Sequence, residues 1–416
     1  MKVTDLALHC ALRAPHAAFL PRSLKAGAFV LEGLNALATT WYFFYIYFFM
    51  QERFGFGKLH NLLLAALLGL IYTFAAMFGG RFAQRHGCFT ALKIGFLGLA
   101  AALAAGSWME TLAAHLAVVI LGTVAMCFTW PTLQALVCEG EPTARLQKMV
   151  GIYNLVWATA GAFAYFTGGA LIETWGLPAM FLVPASIHVV QLVLTLWLER
   201  KAQLAPPASP GISLAAPPAG PPRSLAHQRA FLKMAWLANP FTYLAVNTLI
   251  AVTPNLAQQL HLSPMFAGFL CSVWLFVRAG SFLLLWLWPG WHYRFRWLAG
   301  AYVAMVVSFA FVLLASNLAV LLAAQVVFGI SIGLIYYSSL FYSMDVGETK
   351  GEHGGLHEAA IGAGSCAGPA IGAAALHYFP NAPGSSVWAV SGLLVCGLLG
   401  LFWMRRGQGR RGGVVA

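Results

Sequence analysis

Long apolar runs, each about the length of a membrane-crossing helix, dominate the pattern of residues along this chain. A helix needs about 20 mostly apolar residues to cross a bilayer, and most of the charge-poor runs have this length. One stretch, from Trp297 to Met344, carries no charged residue and is too long for a single crossing, so we divide it at Ser316-Asn317. The twelve predicted spans, numbered in chain order, are 26–50, 61–79, 90–107, 111–138, 149–172, 177–198, 234–257, 264–289, the two parts of that stretch, 355–376 and 385–404.

The composition agrees with a chain that lives in a membrane. Apolar types make up 60% of the residues and charged types 9%, whereas a soluble domain carries about 25% charged residues. The fold class predicted is therefore an all-α membrane protein with twelve transmembrane helices in two six-helix repeats. A Pro/Ala/Gly-rich stretch without periodicity, 205–223, is typical of a linker and separates the two sets of six. The predicted organisation is a segment 1–23, a bundle 24–198, a linker 199–230, a second bundle 231–404 and a basic tail 405–416.

The basic residues predict an orientation. The net charge is +12, and all the Lys and Arg residues except Arg53, Lys58 and Arg278 fall in the termini, the linker or the loops on one side of the predicted spans, or at the ends of spans on that side. By the positive-inside rule, both termini are expected to be cytoplasmic and the protein to be a multi-pass protein of the cell (inner) membrane. Because the basic residues are interleaved with long apolar runs, they do not form one basic face that could bind nucleic acid.

The two halves of the chain resemble each other around spans 5 and 11. Gly151 and Gly168 are separated by the same interval as Gly355 and Gly372, and Asn154 falls opposite Glu358 in that alignment. Parallel repeats with a substrate site at their interface are a known plan of membrane transporters. The repeat therefore favours a transporter.

The loop between spans 2 and 3, GRFAQRHG at 80–87, is similar to the signature G-x-L-A-D-R-x-G-R-R of the major facilitator superfamily. Gln84 stands where the signature has Asp, and Cys88 where it has a basic residue. The residues that match are Gly80, Ala83, Arg85 and Gly87. With six spans on each side of a central linker, this resemblance implies two helical bundles that rock about a central site.

Two charged residues lie well inside predicted spans, away from their cytoplasmic ends. Arg278 is in the middle of span 8, near the bilayer midplane, where a charge usually faces a cavity or a partner. The functional interpretation is an anion or carbonyl ligand in a transport cavity, and the alternative is a structural Arg satisfied by neighbouring helices. Glu32 in span 1 shares a helix face with Asn35 and Thr39. It is the candidate for proton coupling, with a merely structural hydrogen-bonded Glu as the alternative.

Span 7, the repeat partner of span 1, offers a second polar face. Asn239, Tyr243 and Asn247 follow one another at four-residue spacing, so they lie on the same side of the helix. We expect these residues to line the cavity opposite the face of span 1. The alternative is that they form hydrogen bonds that hold the helices together.

Five further charged residues are candidates for a cytoplasmic gate or latch. The resemblance implies that Glu358 or Glu139 pairs with Arg81 or Arg85, and Asp345 would be a similar latch acid on the second half. For Glu358 a structural role in the first turn of its helix is favoured by the helix dipole.

These observations predict a secondary active transporter that moves a small organic solute by alternating access, coupled to protons. The alternatives are a lipid flippase of the same fold and a non-transporting membrane assembly or scaffold protein. No nucleotide-binding, hydrolase or metal-ligand motif appears, so neither an enzyme nor a cofactor nor a metal is expected. The expected partners are a solute, a coupling ion and the lipid bilayer, for a monomer that binds no nucleic acid.

Overall fold

The computed structural model describes residues 22–138, 143–204, 224–346, 352–382 and 384–412. Within these ranges it is helical and contains no strand. The twelve spans are Arg22–Phe54, Lys58–His86, Cys88–Gly106, Leu112–Cys138, Thr143–Trp175, Ala179–Leu204, Leu225–Gln259, Pro264–Leu287, Phe295–Leu313, Leu318–Asp345, Glu352–Tyr378 and Ser385–Gly412. The predicted all-α class with twelve spans is confirmed. We call the side where spans 6 and 12 end the linker face, and the side where spans 1 and 7 end the opposite face.

Two spans are interrupted, which the apolar pattern did not predict. Span 4 consists of Leu112–Met126 and Trp130–Cys138, and span 8 consists of Pro264–Cys271 and Val273–Leu287. At the second break the Ser272 hydroxyl donates to the Phe269 carbonyl at 3.0 Å. Such short-range bonds from Ser and Thr compete with regular helix geometry.

Eleven of the described helices are long and apolar enough to cross a membrane by length and composition alone. Span 1 is the exception because Glu32, Asn35 and a run of Trp and Tyr residues lower its mean hydropathy. It nevertheless lies between spans 5 and 6 as an integral part of the bundle. The most polar span is thus among those surrounded by other helices.

Exposed and packed surfaces alternate along span 2. On span 2 the exposed side chains recur every three or four residues, as expected for one face of a helix. They are Leu63, Leu67, Leu70, Phe74 and Phe78. The other side carries Gly69, where a Cβ would collide with the backbone of Cys366 in span 11. Small residues therefore bring span 2 of the first half against span 11 of the second half.

Spans 5 and 8 form a second contact between the halves. A Cβ at Gly169 would collide with the carbonyl of Pro264, and the rings of Phe166 and Phe269 stack with centroids 4.5 Å apart. At the opposite face Gln51 and Gln258 share a side-chain hydrogen bond of 3.1 Å between spans 1 and 7. These contacts hold the two halves together on that side of the molecule.

Candidate functional site

Arg278 lies at the interface between the two halves. Its side chain is buried, and its guanidinium carbon is 4.6 Å from the ring centre of Trp157 in span 5 and 5.1 Å from that of Trp274 in its own span. No described acidic side chain lies within ion-pair distance of it, and its Nε has no hydrogen-bond partner. Aromatic faces attract a cation through the ring quadrupole. Two indole rings thus stand where a carboxylate would be expected.

Two tyrosines complete the surroundings of this charge. The rings of Tyr243 in span 7 and Tyr336 in span 10 lie with their centroids 6.0 Å apart, and both side chains are within electrostatic range of Arg278. Tyr336 also packs edge-on against Trp157 at 5.5 Å. We call Trp157, Trp274, Tyr243 and Tyr336 the aromatic box. Its walls come from four spans, and one of those spans belongs to the first half of the chain.

Glu358 lies beside the aromatic box and is bonded across the halves. Its carboxylate accepts a hydrogen bond of 2.6 Å from the hydroxyl of Tyr72 in span 2. Tyr243 and Tyr336 also lie within electrostatic range of this carboxyl group. The adjacent His357 is buried, with its Nε2 unpartnered and its ring 6.0 Å from that of Tyr336. A carboxylate and a guanidinium therefore face the same tyrosine pair.

Glu32 is fully buried in span 1. Neither of its carboxylate oxygens has a hydrogen-bond partner, and Tyr153 and Tyr336 lie within electrostatic range of it. The preceding residue, Leu31, accepts a 2.8 Å hydrogen bond at its carbonyl from Gln191 of span 6. A buried ion without a partner is strongly disfavoured. The structure thus places a poorly satisfied carboxyl group within electrostatic range of the aromatic box.

The remaining polar residues of span 1 fall into two kinds. Asn35 is fully buried, and neither its amide nitrogen nor its amide oxygen has a partner. Thr39 instead donates to the carbonyl of Asn35 at 2.6 Å, a bond within its own helix. Asn35 therefore has free polar capacity, whereas the Thr39 hydroxyl donor is already engaged.

The polar face of span 7 divides in the same way. Asn239 is buried with both side-chain polar atoms unpartnered. Asn247 donates to Ser365 of span 11 at 2.8 Å and to the carbonyl of Tyr243 at 3.1 Å. Asn247 thus makes an interhelical hydrogen bond, as the alternative of a packing role predicted, while Tyr243 belongs to the aromatic box.

The predicted latch is not formed by the described side chains in this conformation. Arg81 and Arg85 are exposed at the end of span 2, and Glu358 is bonded to Tyr72 instead. Nine residues separate Tyr72 from Arg81, which corresponds to about 13 Å of helix rise. Glu139 and the side chain of Asp345 lie outside the described residues.

Sequence reasoning missed several residues that this arrangement brings together. They are Tyr72, Tyr153, Trp157 and Trp274. Tyr153 and Trp157 lie four residues apart on span 5 beside Asn154, which accepts a 3.0 Å bond from the Trp157 indole. In the sequence, the four-residue spacing of two aromatic residues beside an Asn within a predicted span was the signal that could have identified them. It was weak because aromatic residues make up 14% of the chain.

The described residues hold no cluster of three or more His, Cys, Asp or Glu side chains suited to a metal ion. The polar groups that converge are instead one guanidinium, two carboxyl groups and several tyrosine hydroxyls. Groups of this kind bind small polar solutes through charge-assisted hydrogen bonds.

Comparison with known proteins defines the family. A model of the Major Facilitator Superfamily matches residues 28–369. The chain therefore belongs to this superfamily, which places it among membrane transporters rather than enzymes. No curated protein sequence matches the chain significantly.

Solved structures share the fold at low sequence identity. The human organic anion transporter MFSD10 (TETRAN) is similar with a TM-score of 0.64 and 13% identity, covering 91% of this chain and 99% of that chain. A bacterial homologue of the human lysosomal transporter Spinster, inward-facing and unoccupied, has a TM-score of 0.61 and 14% identity, covering 92% and 95%. The nucleoside transporter NupG (D323A mutant) has a TM-score of 0.63 and 14% identity, covering 92% and 99%.

Proposed function

We propose that this protein is a secondary active transporter that moves a small organic solute by alternating access around the aromatic box. The observation that carries the proposal is the placement of Arg278, a buried charge at the interface of the two halves for which the described residues offer no acidic partner. An intramembrane charge is maintained mainly where it serves function. Relative movement of the halves would separate Trp157 from Arg278 and expose the site.

The solute we propose is an anion or a carbonyl compound. Arg278 offers a forked donor that matches a carboxylate or phosphate, and Tyr243 and Tyr336 add hydroxyl groups beside it. The structurally similar human protein is named as an organic anion transporter, which is consistent with this class. The indole rings of Trp157 and Trp274 would contact apolar parts of the same solute.

Protons are the proposed coupling ion, with Glu32 as the carrier. Its carboxylate is fully buried and has no hydrogen-bond donor, so the neutral form suits this conformation. Exposure to water in another conformation would favour release of the proton. Glu358 differs because the Tyr72 hydroxyl stabilises its carboxylate.

The two six-helix bundles, 24–198 and 231–404, are the proposed moving units, in a monomer of the cell membrane. The basic residues of the linker face favour the cytoplasm for that face. A reporter that is active only in the cytoplasm should then be active when it is fused after Ala416. Activity of a reporter that requires export would contradict this orientation.

The test is uptake by purified protein in liposomes under an imposed pH gradient. The solutes should be small carboxylates, each paired with the amide of the same carbon skeleton. We expect accumulation of at least one carboxylate or amide, and loss of that uptake by at least tenfold in Arg278→Gln because the charge is removed. Arg278→Lys keeps the charge without the fork and should retain part of the activity. Arg200→Gln, at an exposed Arg on the linker face, is the matched control.

Three results would contradict the proposal. Uptake by Arg278→Gln at the wild-type rate would show that Arg278 is not part of the binding site. Absence of uptake for every solute, in protein that is shown to be folded, would favour the non-transporting scaffold. Movement of labelled phospholipid between leaflets without solute uptake would favour the flippase.

A further inference from the structure

A groove on the outer surface of the second half runs between spans 9 and 10. Its volume is about 660 Å³. Gly300 and Ala304 of span 9 form its floor, because they leave space that larger side chains would fill. The full lining is Arg296, Trp297, Gly300, Ala301, Ala304, Val327, Ile330, Ser331 and Leu334. Apart from the entrance residues and Ser331, the lining is apolar.

The groove faces the bilayer and covers the depth of one leaflet. Val303, Val307 and Val326 beside it are exposed apolar side chains on the same two helices, as expected at a lipid-facing surface. From Arg296 to Ala304 the helix rises about 12 Å, and half of a bilayer hydrocarbon core is about 15 Å. The groove thus has the length for part of one acyl chain that enters from the linker face.

Its entrance is positively charged. Arg296 lines the groove and is exposed, with its guanidinium carbon 5.8 Å from the ring centre of Trp297. Arg405 of span 12 lies over the ring of Phe295 at 5.6 Å. Arg294 is exposed at the start of span 9, and no described acidic side chain lies within ion-pair distance of these three arginines. Nothing among the described side chains neutralises this entrance.

The beginning of span 9 adds backbone donors at the same place. Span 9 begins at Phe295, its N-cap Arg294 makes no side-chain capping bond, and its first turn contains no acidic residue. The first N–H groups of a helix lack partners within it, and together with the helix dipole they bind phosphate groups. The open helix terminus and the Arg296 side chain therefore lie at one end of an acyl-sized groove.

We propose that this groove binds one anionic phospholipid of the leaflet at the linker face. The phosphate contacts the Arg296 side chain and the backbone N–H groups of Phe295 and Arg296, the first two residues of span 9, and one acyl chain lies on Gly300 and Ala304. The described surroundings contain no acid that would attract the ammonium of a zwitterionic headgroup, so a net negative lipid is preferred. Trp297 lies at the level where the headgroup meets the hydrocarbon.

The experiment is native mass spectrometry of the full chain in detergent, titrated with phosphatidylglycerol or phosphatidylcholine of identical acyl chains. We expect one phosphatidylglycerol to bind at least fivefold more tightly than phosphatidylcholine, and Arg296→Gln to remove about fivefold of that affinity. Arg200→Gln is the control for loss of an exposed charge. Gly300→Leu fills the groove and should also abolish the tight binding.

Gly392→Leu is the matched control for Gly300→Leu. Both glycines are in helices, and a Cβ at either one meets no atom within 4 Å, so both variants are expected to fold. Equal loss in the two glycine variants, or equal binding of the two lipids, would overturn the proposal. Displacement of the lipid by glycerol 3-phosphate at the same concentration would overturn the role of the acyl groove.

Discussion

Arg278 keeps its charge in the interior of the bundle because aromatic rings replace the missing carboxylate. A desolvated cation over an indole face gains about 2 kcal/mol, and here two indoles, Trp157 and Trp274, are within 5.1 Å. This interaction does not consume the donors of the guanidinium, as a bidentate salt bridge would. The donors remain available to an incoming solute, which is why a box of aromatic residues suits a binding site better than a buried ion pair.

Glu32→Gln tests proton coupling at the scale of one residue. Gln has nearly the same size but cannot carry a proton, so uptake driven by a pH gradient should fall at least tenfold. Exchange of labelled for unlabelled solute without a gradient should continue. Glu110→Gln, at an exposed acid near the opposite face, is the control and should leave both assays unchanged.

The same two assays on Glu358→Gln show which of the two acids, Glu32 or Glu358, carries the proton. Loss of gradient-driven uptake there, with Glu32→Gln behaving like wild type, would transfer the coupling role to Glu358. If both variants show exchange and gradient-driven uptake at the wild-type rates, proton coupling through either residue is contradicted.

Individual charges were the part of the candidate site that the sequence singled out. Arg278 and Glu32 stand out because charges are rare within apolar runs. The hydroxyl groups and indoles around them could not be found in this way, since Tyr and Trp occur throughout the chain in belts, cores and cavities alike. The bond between Tyr72 and Glu358 joins residues 286 positions apart, and no local pattern predicts such a pair.

At the scale of elements, the closest helix contacts depend on glycine. A Cβ at Gly364 in span 11 would collide with the carbonyl of Pro240 in span 7. Close approach of backbones replaces the hydrophobic driving force that helices lack inside a membrane. The bond from Asn247 to Ser365 lies near the same contact and further ties span 7 to span 11.

Gly364→Val should therefore destabilise the second half. The added side chain has no room beside Pro240, and overpacking of this kind costs about 1–3 kcal/mol. The midpoint of thermal unfolding in detergent should decrease. Gly392→Val, where a Cβ meets no atom within 4 Å, should leave the midpoint near the wild-type value. Equal midpoints for the two variants would show that the contact between spans 7 and 11 is not tight.

Helix number was easier to predict than helix continuity. Run length alone gave the twelve spans, because a bilayer requires a minimum apolar length. The break at Ser272 depends on one hydroxyl that bonds to Phe269, and the same residue type continues a helix elsewhere. Ser281, for example, bonds back to Val277 within an uninterrupted part of span 8.

At the scale of the whole molecule, the opposite face is closed by bonds between the halves. Gln51 pairs with Gln258 at 3.1 Å, and the Glu173 carboxylate accepts a 2.7 Å bond from the backbone of Met265. If the halves rock during transport, these bonds must break in each cycle. A neutral pair such as Gln51 and Gln258 contributes about 1 kcal/mol, and a bond to a carboxylate about 1.5–3 kcal/mol, so both bonds are compatible with repeated opening.

Cross-linking Gln51→Cys to Gln258→Cys tests this movement. A short bifunctional thiol reagent that forms disulfides should join the two side chains and stop uptake, because the opposite face can no longer open. A reducing agent should restore uptake. The single variants treated with the same reagent control for the native cysteines. Full uptake in the cross-linked protein would contradict alternating access at this face.

The lengths of the apolar runs were sufficient to predict a twelve-helix membrane protein, the loop at 80–87 indicated its superfamily, and the scarcity of charges within the spans singled out Arg278 and Glu32. This follows because the bilayer acts on each helix separately, through its length and polarity. The aromatic box around Arg278, the partner of Glu358 and the lipid groove required the folded molecule. Their residues come from helices that are distant along the chain and meet only through packing.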